Sequence, residues 1–171
     1  MLHVKQTKDS YFAAVEEWNR THRIIGKRSI GELVAQSEQA LRFVPKDVPA
    51  VVDVGAGAGI LGIPWVLGAR TRKAALVEPD PKKSAFLRSF VSTAPEIRSQ
   101  LLILNGRIED VTRETLVEFF QTDFILAARA FSGTEGLAVT MQRSEFSRDA
   151  TYIFKPLTLR PGEYVLEKLT V

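Results

Sequence analysis

The feature that most constrains the fold is a mostly apolar segment that runs directly into a glycine-rich loop. Val51–Val54 is followed by Gly55-Ala56-Gly57-Ala58-Gly59, and apolar residues resume at Ile60. Glycine permits tight turns and positive φ angles, and it lets a ligand approach the backbone closely. A strand that ends in such a loop before a helix is typical of parallel α/β sheets, which bind nucleotide-like ligands at the carboxyl ends of their strands.

The chain from residue 50 onward repeats this alternation. Short apolar runs bounded by turn residues predict strands at Ala50–Val54, Ala74–Val77, Leu101–Leu104, Phe124–Ala128 and Tyr152–Phe154. Amphipathic stretches between them predict helices at Gly59–Leu67, Lys82–Ser92, Thr112–Phe120 and Glu135–Arg143. This order predicts a doubly wound, mostly parallel α/β sheet of Rossmann-like type. The alternating segment Glu163–Val171 predicts a last strand that pairs antiparallel at the sheet edge.

The residues before this region follow a helical pattern instead. Apolar side chains recur at helical spacing in two sets, Tyr11 to Trp18 and Ile30 to Phe43, with a break at Gly26 and Ser29. A proline-bounded segment, residues 45–49, separates them from the first predicted strand. We therefore predict a helical N-terminal extension over residues 1–49 and a cofactor-binding domain over residues 50–171.

Composition excludes several functional classes. The chain has 171 residues, enough for one domain, and no cysteine, so disulfides, thiolate metal sites and cysteine nucleophiles are ruled out. Its two histidines are isolated in the sequence, and we expect no metal site. No run of about 18 apolar residues and no signal peptide stands in the sequence. We therefore expect a cytoplasmic monomer without a membrane segment.

The charge distribution suggests a surface for an anionic partner. The net charge is only +3, but no acidic residue lies between Glu17 and Glu32. Four basic residues fall in or next to that interval: Arg20, Arg23, Lys27 and Arg28. They either contact the phosphates of a nucleic acid or form a solvated helix end.

The glycine loop also indicates which cofactor is bound. Gly57-x-Gly59-x-x-Gly62 satisfies the dinucleotide fingerprint, but its first glycine comes too late, because Gly55 already ends the strand. Asp53 stands two residues before the first of three alternating glycines, a pattern that resembles S-adenosylmethionine-dependent methyltransferases. A carboxylate suits the ammonium group of that cofactor and is unfavourable beside a pyrophosphate. The predicted cofactor-binding residues of this segment are Asp53, Gly55, Ala56, Gly57 and Gly59.

Two later strand ends complete the predicted cofactor site. Glu78 ends the second strand, where a carboxylate accepts hydrogen bonds from both ribose hydroxyls. NAD enzymes use the same contact, so Glu78 supports an adenosine ligand without choosing the cofactor, and a capping or surface glutamate is the alternative. Arg107 and Ile108 follow the third strand, where this fold usually lines the adenine.

These residues together resemble the GidB family, the 16S ribosomal RNA guanine-N7 methyltransferases. The resemblance rests first on the loop followed by Leu61-Gly62-Ile63-Pro64, which is more specific than the loop itself. Further matches follow in order along the chain, which extends the resemblance over about residues 15–155: Trp18-Asn19, Lys82-Lys83, Phe86-Leu87-Arg88, Gly106-Arg107-Ile108-Glu109, Ala128-Arg129-Ala130-Phe131 and Phe154-Lys155. It implies the class I methyltransferase fold, S-adenosylmethionine as cofactor and ribosomal RNA as substrate.

The chain departs from the family pattern at three places. Arg23-Ile24-Ile25 stands where the family usually has Asn-Leu-Thr, and Gln36–Ala40 stands where it usually has His-x-x-Asp-Ser. The part after the late strand is also shorter than is usual, so we expect a shortened and diverged member. Another substrate class, a small molecule or a protein, stays open, as does a non-catalytic cofactor- or RNA-binding relative.

The resemblance also implies which residues take part in catalysis. Guanine N7 carries a lone pair and no proton, so its methylation requires no general base, and positioning and electrostatics supply the catalysis. Arg129 follows the fourth strand and is predicted to contact the methionine carboxylate or a substrate phosphate, unless it pairs with a surface acid. Lys155 ends the late strand and either meets substrate phosphate or lies along the sheet edge.

Overall fold

The computed structural model describes residues 2–43, 48–129, 134–146, 149–156 and 164–169. The helices and strands follow in the order α1 (Leu2–His22), α2 (Ile30–Phe43), β1 (Ala50–Val54), α3 (Gly62–Leu67), β2 (Lys73–Val77), α4 (Pro81–Thr93), β3 (Leu101–Leu104), α5 (Arg113–Phe120), β4 (Ile125–Ala128), α6 (Thr134–Gln142), β5 (Thr151–Pro156) and β6 (Tyr164–Leu169). Short 3₁₀ turns precede and follow β3, at Arg98–Gln100 and Ile108–Asp110.

The strands form one sheet in the order β3-β2-β1-β4-β5-β6. The first five strands pair in parallel, and β6 pairs antiparallel with β5 at the edge. The predicted doubly wound, mostly parallel sheet with an antiparallel last strand is therefore confirmed. The strand order reverses between β1 and β4, and in such sheets the crevice at that point is where ligands bind.

Alternate strand residues face two separate layers of helices. Val51 and Leu76 face a core that includes Tyr11, Leu33 and Trp65, from α1, α2 and α3. Their neighbours along the same strands face the opposite layer, which contains α5 and α6. The helices of residues 1–49 therefore share one core with the sheet.

Most predicted elements match the structure within a residue or two, with one instructive exception. The helix predicted from Gly59 begins only at Gly62. Gly59 has φ +82°, which no helical residue adopts, and Asp53 accepts a hydrogen bond from the Gly62 backbone N–H at 2.9 Å. Residues 163, 170 and 171 of the predicted last strand lie outside the described residues.

None of the helices in the described ranges is both long and apolar enough to span a membrane. No group of three or more His, Cys, Asp or Glu side chains able to hold a metal ion occurs within those ranges.

Candidate functional site

The glycine loop between β1 and α3 is fixed by backbone contacts on the end of β2. Gly55, Gly57 and Gly59 all have positive φ, at 69°, 62° and 82°. The Gly55 N–H donates to the Val77 carbonyl at 2.9 Å. A side chain at Gly59 would be strained by the positive φ, and its Cβ would lie 2.7 Å from Ile63 Cδ1, so that neighbouring side chains would have to shift. These contacts fix the conformation of the loop.

Asp53 is buried in β1 and fixes the backbone just after the loop. The side chain is 1% exposed, and its Oδ2 accepts the bond from the Gly62 N–H. Burial raises the pKa of Asp53 to about 6, against the lowering effects of that bond and of the Arg129 guanidinium. Asp53 therefore occupies the first backbone N–H of α3, which would otherwise have no partner within the helix. A direct contact between Asp53 and a cofactor stays a prediction.

Gly62 begins the segment after the loop, where the neighbouring strand restricts which residue types fit. A Cβ at this position would lie 2.3 Å from Leu76 Cδ2 on the neighbouring strand. Pro64 is the third residue of α3, where a backbone N–H would have no partner within the helix. The Gly-Ile-Pro segment therefore lets a short helix start close against the sheet.

Glu78 joins the loop to the start of α4. Its side chain is 4% exposed, which excludes the surface-carboxylate alternative. Glu78 Oε2 accepts from the Gly57 N–H at 2.6 Å, and Oε1 accepts from the Asp80 N–H at 2.8 Å. A carboxylate has about four acceptor positions, so ribose hydroxyls have acceptor capacity available beside these bonds. From the end of β3, Asn105 Nδ2 donates to the Glu78 carbonyl at 2.9 Å.

Two adjoining cavities lie over this carboxyl edge and share Gly55 and Pro79. The smaller one, about 220 Å³, has apolar walls that include Val54, Val77 and Ile108, with Arg107 also lining it. The structure thus brings the predicted adenine-side residues Arg107 and Ile108 together.

The larger cavity, about 400 Å³, brings together other residues of the predicted site. It is lined by Gly57, Ala58, Glu78 and Arg129, among others. Its volume lies in the roughly 300–1,000 Å³ range of small-molecule sites. A Cβ built on Gly57 meets no described atom within 4 Å, so the backbone there faces open space. The two cavities together offer apolar walls, a carboxylate and an arginine, which suits a ligand with both apolar and charged parts, such as S-adenosylmethionine.

Arg129 follows β4 directly, and helix α2 contacts it from the extension. Arg129 Nη1 donates to Gln36 Oε1 at 2.7 Å. Gln36 is 6% exposed. The sequence marked Gln36 only as a departure from the family pattern and gave it no role.

Tyr11 is a second contact from the extension that the sequence did not predict. Its hydroxyl donates to the Ala58 carbonyl in the glycine loop at 2.7 Å. Burial raises the pKa of Tyr11 well above its ordinary value. A phenol in an otherwise apolar helix face was the available signal, since buried tyrosine hydroxyls usually find a partner.

The predicted basic cluster is only partly assembled at the cavity. Arg28 lines the larger cavity with Arg129, and Arg23 and Lys27 are exposed in the same turn. Arg20 forms an ion pair with Glu17 at 3.0 Å, which corrects the expectation of four cations without counter-charges. Lys83, at the start of α4, lines the cavity as well.

The turn that carries these residues also supplies apolar cavity wall. Ile24 and Ile25, from the segment that departs from the family pattern, both line the larger cavity. The Ile25 N–H donates to Asn19 Oδ1 at 3.1 Å, which fixes this turn to the end of α1.

One predicted site residue cannot be placed by its side chain. Lys155 lies in β5, but its side chain is outside the described residues, as are residues 130–133 after Arg129.

Comparison with known proteins is consistent with this geometry. Residues 5–158 match the family model GidB, described as rRNA small subunit methyltransferase G. The chain is 34% identical over 145 residues to the ribosomal RNA small subunit methyltransferase G of Helicobacter pylori strain J99, covering 83% of this chain and 75% of that protein.

Solved structures with this fold are more distant in sequence. M. capricolum TrmK, in complex with its cofactor product S-adenosyl-homocysteine, has a TM-score of 0.52 and 12% identity over 72% of this chain and 52% of that one. An NADB-Rossmann superfamily protein from Streptococcus agalactiae has a TM-score of 0.56 and 14% identity over 70% and 51% of the two chains. The chain thus spans about half the length of these structures, and at such identities the likeness shows the fold alone.

Proposed function

The chain belongs to the GidB family, rRNA small subunit methyltransferase G, and from this we propose that it transfers a methyl group from S-adenosylmethionine to guanine N7 of small-subunit ribosomal RNA. A substrate of this kind agrees with the expected cytoplasmic location. The family membership carries the reaction class. The arrangement of this chain's own residues supports the assignment of roles below.

The observation that carries the proposal is the meeting of three strand ends around one cleft. The loop after β1 contributes Gly57, the end of β2 contributes Glu78, and the end of β4 contributes Arg129, all lining the same cavity. The smaller cavity continues from it toward Ile108, after β3. An adenosine with a charged tail matches this sequence of apolar wall, carboxylate and guanidinium.

Each group has a defined task in the proposed complex. When bound, S-adenosylmethionine supplies a methyl group on a sulfonium centre. Val54, Val77 and Ile108 enclose the adenine, and Glu78 accepts hydrogen bonds from the ribose hydroxyls while it holds the Gly57 N–H. No general base is required, so methyl transfer depends on positioning.

Arg129 is proposed to bind an anion at the acceptor side. Its guanidinium contacts either the methionine carboxylate or a phosphate of the substrate, both of which suit the fork of N–H donors. Guanine N7 needs no base, so no proton has to leave the acceptor.

Calorimetric titration with S-adenosylhomocysteine and with NAD tests the cofactor assignment. The wild-type protein should bind S-adenosylhomocysteine and not NAD. Glu78→Ala should weaken that binding by about 1–3 kcal/mol, the scale of hydrogen bonds lost to a charged group. Glu118→Ala, an exposed carboxylate on α5, is the matched control and should bind normally.

Two results would contradict the assignment. NAD binding without S-adenosylhomocysteine binding would overturn the methyltransferase function. Unchanged affinity in Glu78→Ala would remove Glu78 from the cofactor site.

A further inference from the structure

The turn between α1 and α2 places two consecutive isoleucines in the wall of the larger cavity. Asn19 fixes the turn, because its backbone carbonyl accepts from the Arg23 N–H and its Oδ1 accepts from the Ile25 N–H, both at 3.1 Å. Arg23 and Gly26, on either side of the isoleucine pair, have positive φ angles of 52° and 67°. Ile24 and Ile25 are each only 4% exposed, and both line the cavity. The turn therefore presents a fixed apolar surface to the larger cavity.

This apolar surface is not needed for the adenine of the cofactor. Val54, Val77 and Ile108 already supply apolar walls in the smaller cavity, which shares Gly55 and Pro79 with the larger one. The remaining parts of S-adenosylmethionine, a ribose and an amino acid on a sulfonium centre, are mainly polar or charged. A second apolar wall in the larger cavity thus suits a second ligand with an apolar face.

The acceptor base has the chemistry that this wall requires. A purine is planar, with apolar faces and polar edges, so packing one face on aliphatic side chains removes apolar surface from water and leaves the edges free. Guanine N7 lies on such an edge and must keep its lone pair for the methyl carbon. The nitrogen–carbon bond forms as the carbon–sulfur bond breaks, N7 takes up the positive charge, and the sulfur becomes a neutral thioether. Isoleucine has no side-chain donor that would compete for that lone pair.

A cation in the same wall extends this fit from a base to a nucleotide. Arg28 stands three residues after Ile25 and also lines the larger cavity. A base that packs on the isoleucines would bring its own phosphate near this guanidinium, which suits phosphate oxygens.

We propose that Ile24 and Ile25 form the acceptor-base subsite of the larger cavity, where they pack against a face of the target guanine. This inference rests on the proposed function, because it takes guanine in RNA as the acceptor. It divides the site between two parts of the chain: the strand ends hold the cofactor, and the turn after α1 holds the base.

Methyl NMR separates the acceptor wall from the cofactor wall in one spectrum. With isotope labels confined to the isoleucine δ1 methyl groups, each signal is assigned by its loss in Ile24→Val, Ile25→Val, Ile97→Val or Ile108→Val. S-adenosylhomocysteine should shift the Ile108 signal through the ring current of its adenine. An unmodified small-subunit rRNA fragment, added next, should move the Ile24 and Ile25 signals upfield. Ile97 is the control that should not move, since it is 5% exposed but lies before the amino end of β3.

Kinetics tests the same assignment by a second route. Ile24→Ala and Ile25→Ala each remove apolar contact with the base and should lower kcat/KM for the RNA fragment by about tenfold or more. The affinity for S-adenosylhomocysteine should stay unchanged. Ile24→Val and Ile25→Val disturb the core less and should lower kcat/KM by about fourfold, which keeps the test available if an alanine variant does not fold. Ile97→Ala is the matched control for loss of a buried isoleucine and should keep both values.

The proposal is overturned if S-adenosylhomocysteine alone shifts the Ile24 and Ile25 signals as strongly as that of Ile108. It is also overturned if the wild-type protein methylates the RNA fragment but the RNA shifts neither signal, or if the substitutions reduce cofactor affinity as much as kcat/KM. A wild-type protein that binds S-adenosylhomocysteine but neither binds nor methylates RNA would contradict the proposed function itself.

Discussion

Two buried carboxylates accept hydrogen bonds from the backbone in and just after the glycine loop. Asp53 accepts from the Gly62 N–H and Glu78 accepts from the Gly57 N–H, so each carboxylate fixes a residue that has no side chain of its own. A loop held at its middle and just after its end by hydrogen bonds to carboxylates needs little reorganisation when a ligand arrives. Preorganisation of this kind lowers the entropy cost of binding.

Asp53 makes stability depend on pH in a defined direction. Burial raises the pKa of its carboxyl from 3.8 to about 6, so the folded protein binds this proton more tightly than the unfolded chain does. The free energy of unfolding should therefore fall as pH rises through this window and level off above pH 6. Asp53→Asn keeps an acceptor for Gly62 but does not titrate. Above pH 6 it should be more stable than wild type by up to about 3 kcal/mol.

Urea denaturation of both proteins at pH values from 4 to 7 measures this difference. The two stability curves should converge near pH 4 and diverge toward pH 6. Parallel curves would mean that Asp53 is not the group responsible.

The places of site residues were predictable where the chemistry lies in a local pattern. Gly57 and Glu78 follow strand ends, and both line the larger cavity. The contact of Gln36 was not predictable, because its partner Arg129 stands 93 residues away in the sequence. Residues of this second kind are found only when the fold brings them together.

At the scale of elements, helix α1 contacts the glycine loop through Tyr11. The Tyr11 hydroxyl bonds the Ala58 carbonyl, while its ring packs edge-on against Phe90 of α4 at 5.2 Å. Trp18, two turns later, packs against Phe86 of the same helix at 5.6 Å. Helix α1 therefore packs against both the glycine loop and helix α4, which begins beside Glu78.

Tyr11→Phe separates the hydroxyl from the ring. It leaves the buried Ala58 carbonyl without this donor, so it should cost about 1–3 kcal/mol of stability and weaken S-adenosylhomocysteine binding. Phe90→Leu changes the packing without touching the hydrogen bond, so it should lower stability but leave affinity close to wild type. Urea denaturation and calorimetry check both. Equal affinities in the two variants would limit α1 to a packing role.

Element boundaries were predictable where hydrophobic pattern decides them. The first and third strands were predicted at their observed bounds, Ala50–Val54 and Leu101–Leu104. The start of α3 was not, because it depends on the φ of Gly59 and on the hydrogen bond that the Gly62 N–H donates to Asp53 on the sheet. The hydrophobic pattern predicts that an element is present, and tertiary contacts decide the residue at which it begins.

At the scale of the whole molecule, the candidate site lies at one edge of the sheet, and basic residues lie beside it. Arg28, in the turn between α1 and α2, and Lys83, on α4, both line the larger cavity. Arg23 and Lys27 extend this surface into solvent. A phosphate backbone that crosses the cavity would meet these charges.

Salt dependence of RNA binding tests that surface. Replacement of Arg23, Lys27 and Arg28 by Ala should reduce the log–log salt slope by about 2, since each single-strand phosphate contact contributes about −0.7. The matched control removes the same charge at the opposite sheet edge, where Arg70, Arg72 and Arg98 are exposed before β2 and β3. Fluorescence anisotropy with an unmodified small-subunit rRNA fragment measures both slopes. Equal slopes in the two variants would mean that RNA binds to another surface of the protein.

The most direct test of the central claim is an inventory of methyl groups on ribosomal RNA. Small-subunit rRNA from a strain that lacks this gene is digested and compared by mass spectrometry with RNA from the parent. The account predicts the loss of one methyl group from one guanine, assigned to N7 by fragmentation, and its return when the wild-type gene is restored. An unchanged methyl inventory would contradict the proposed function.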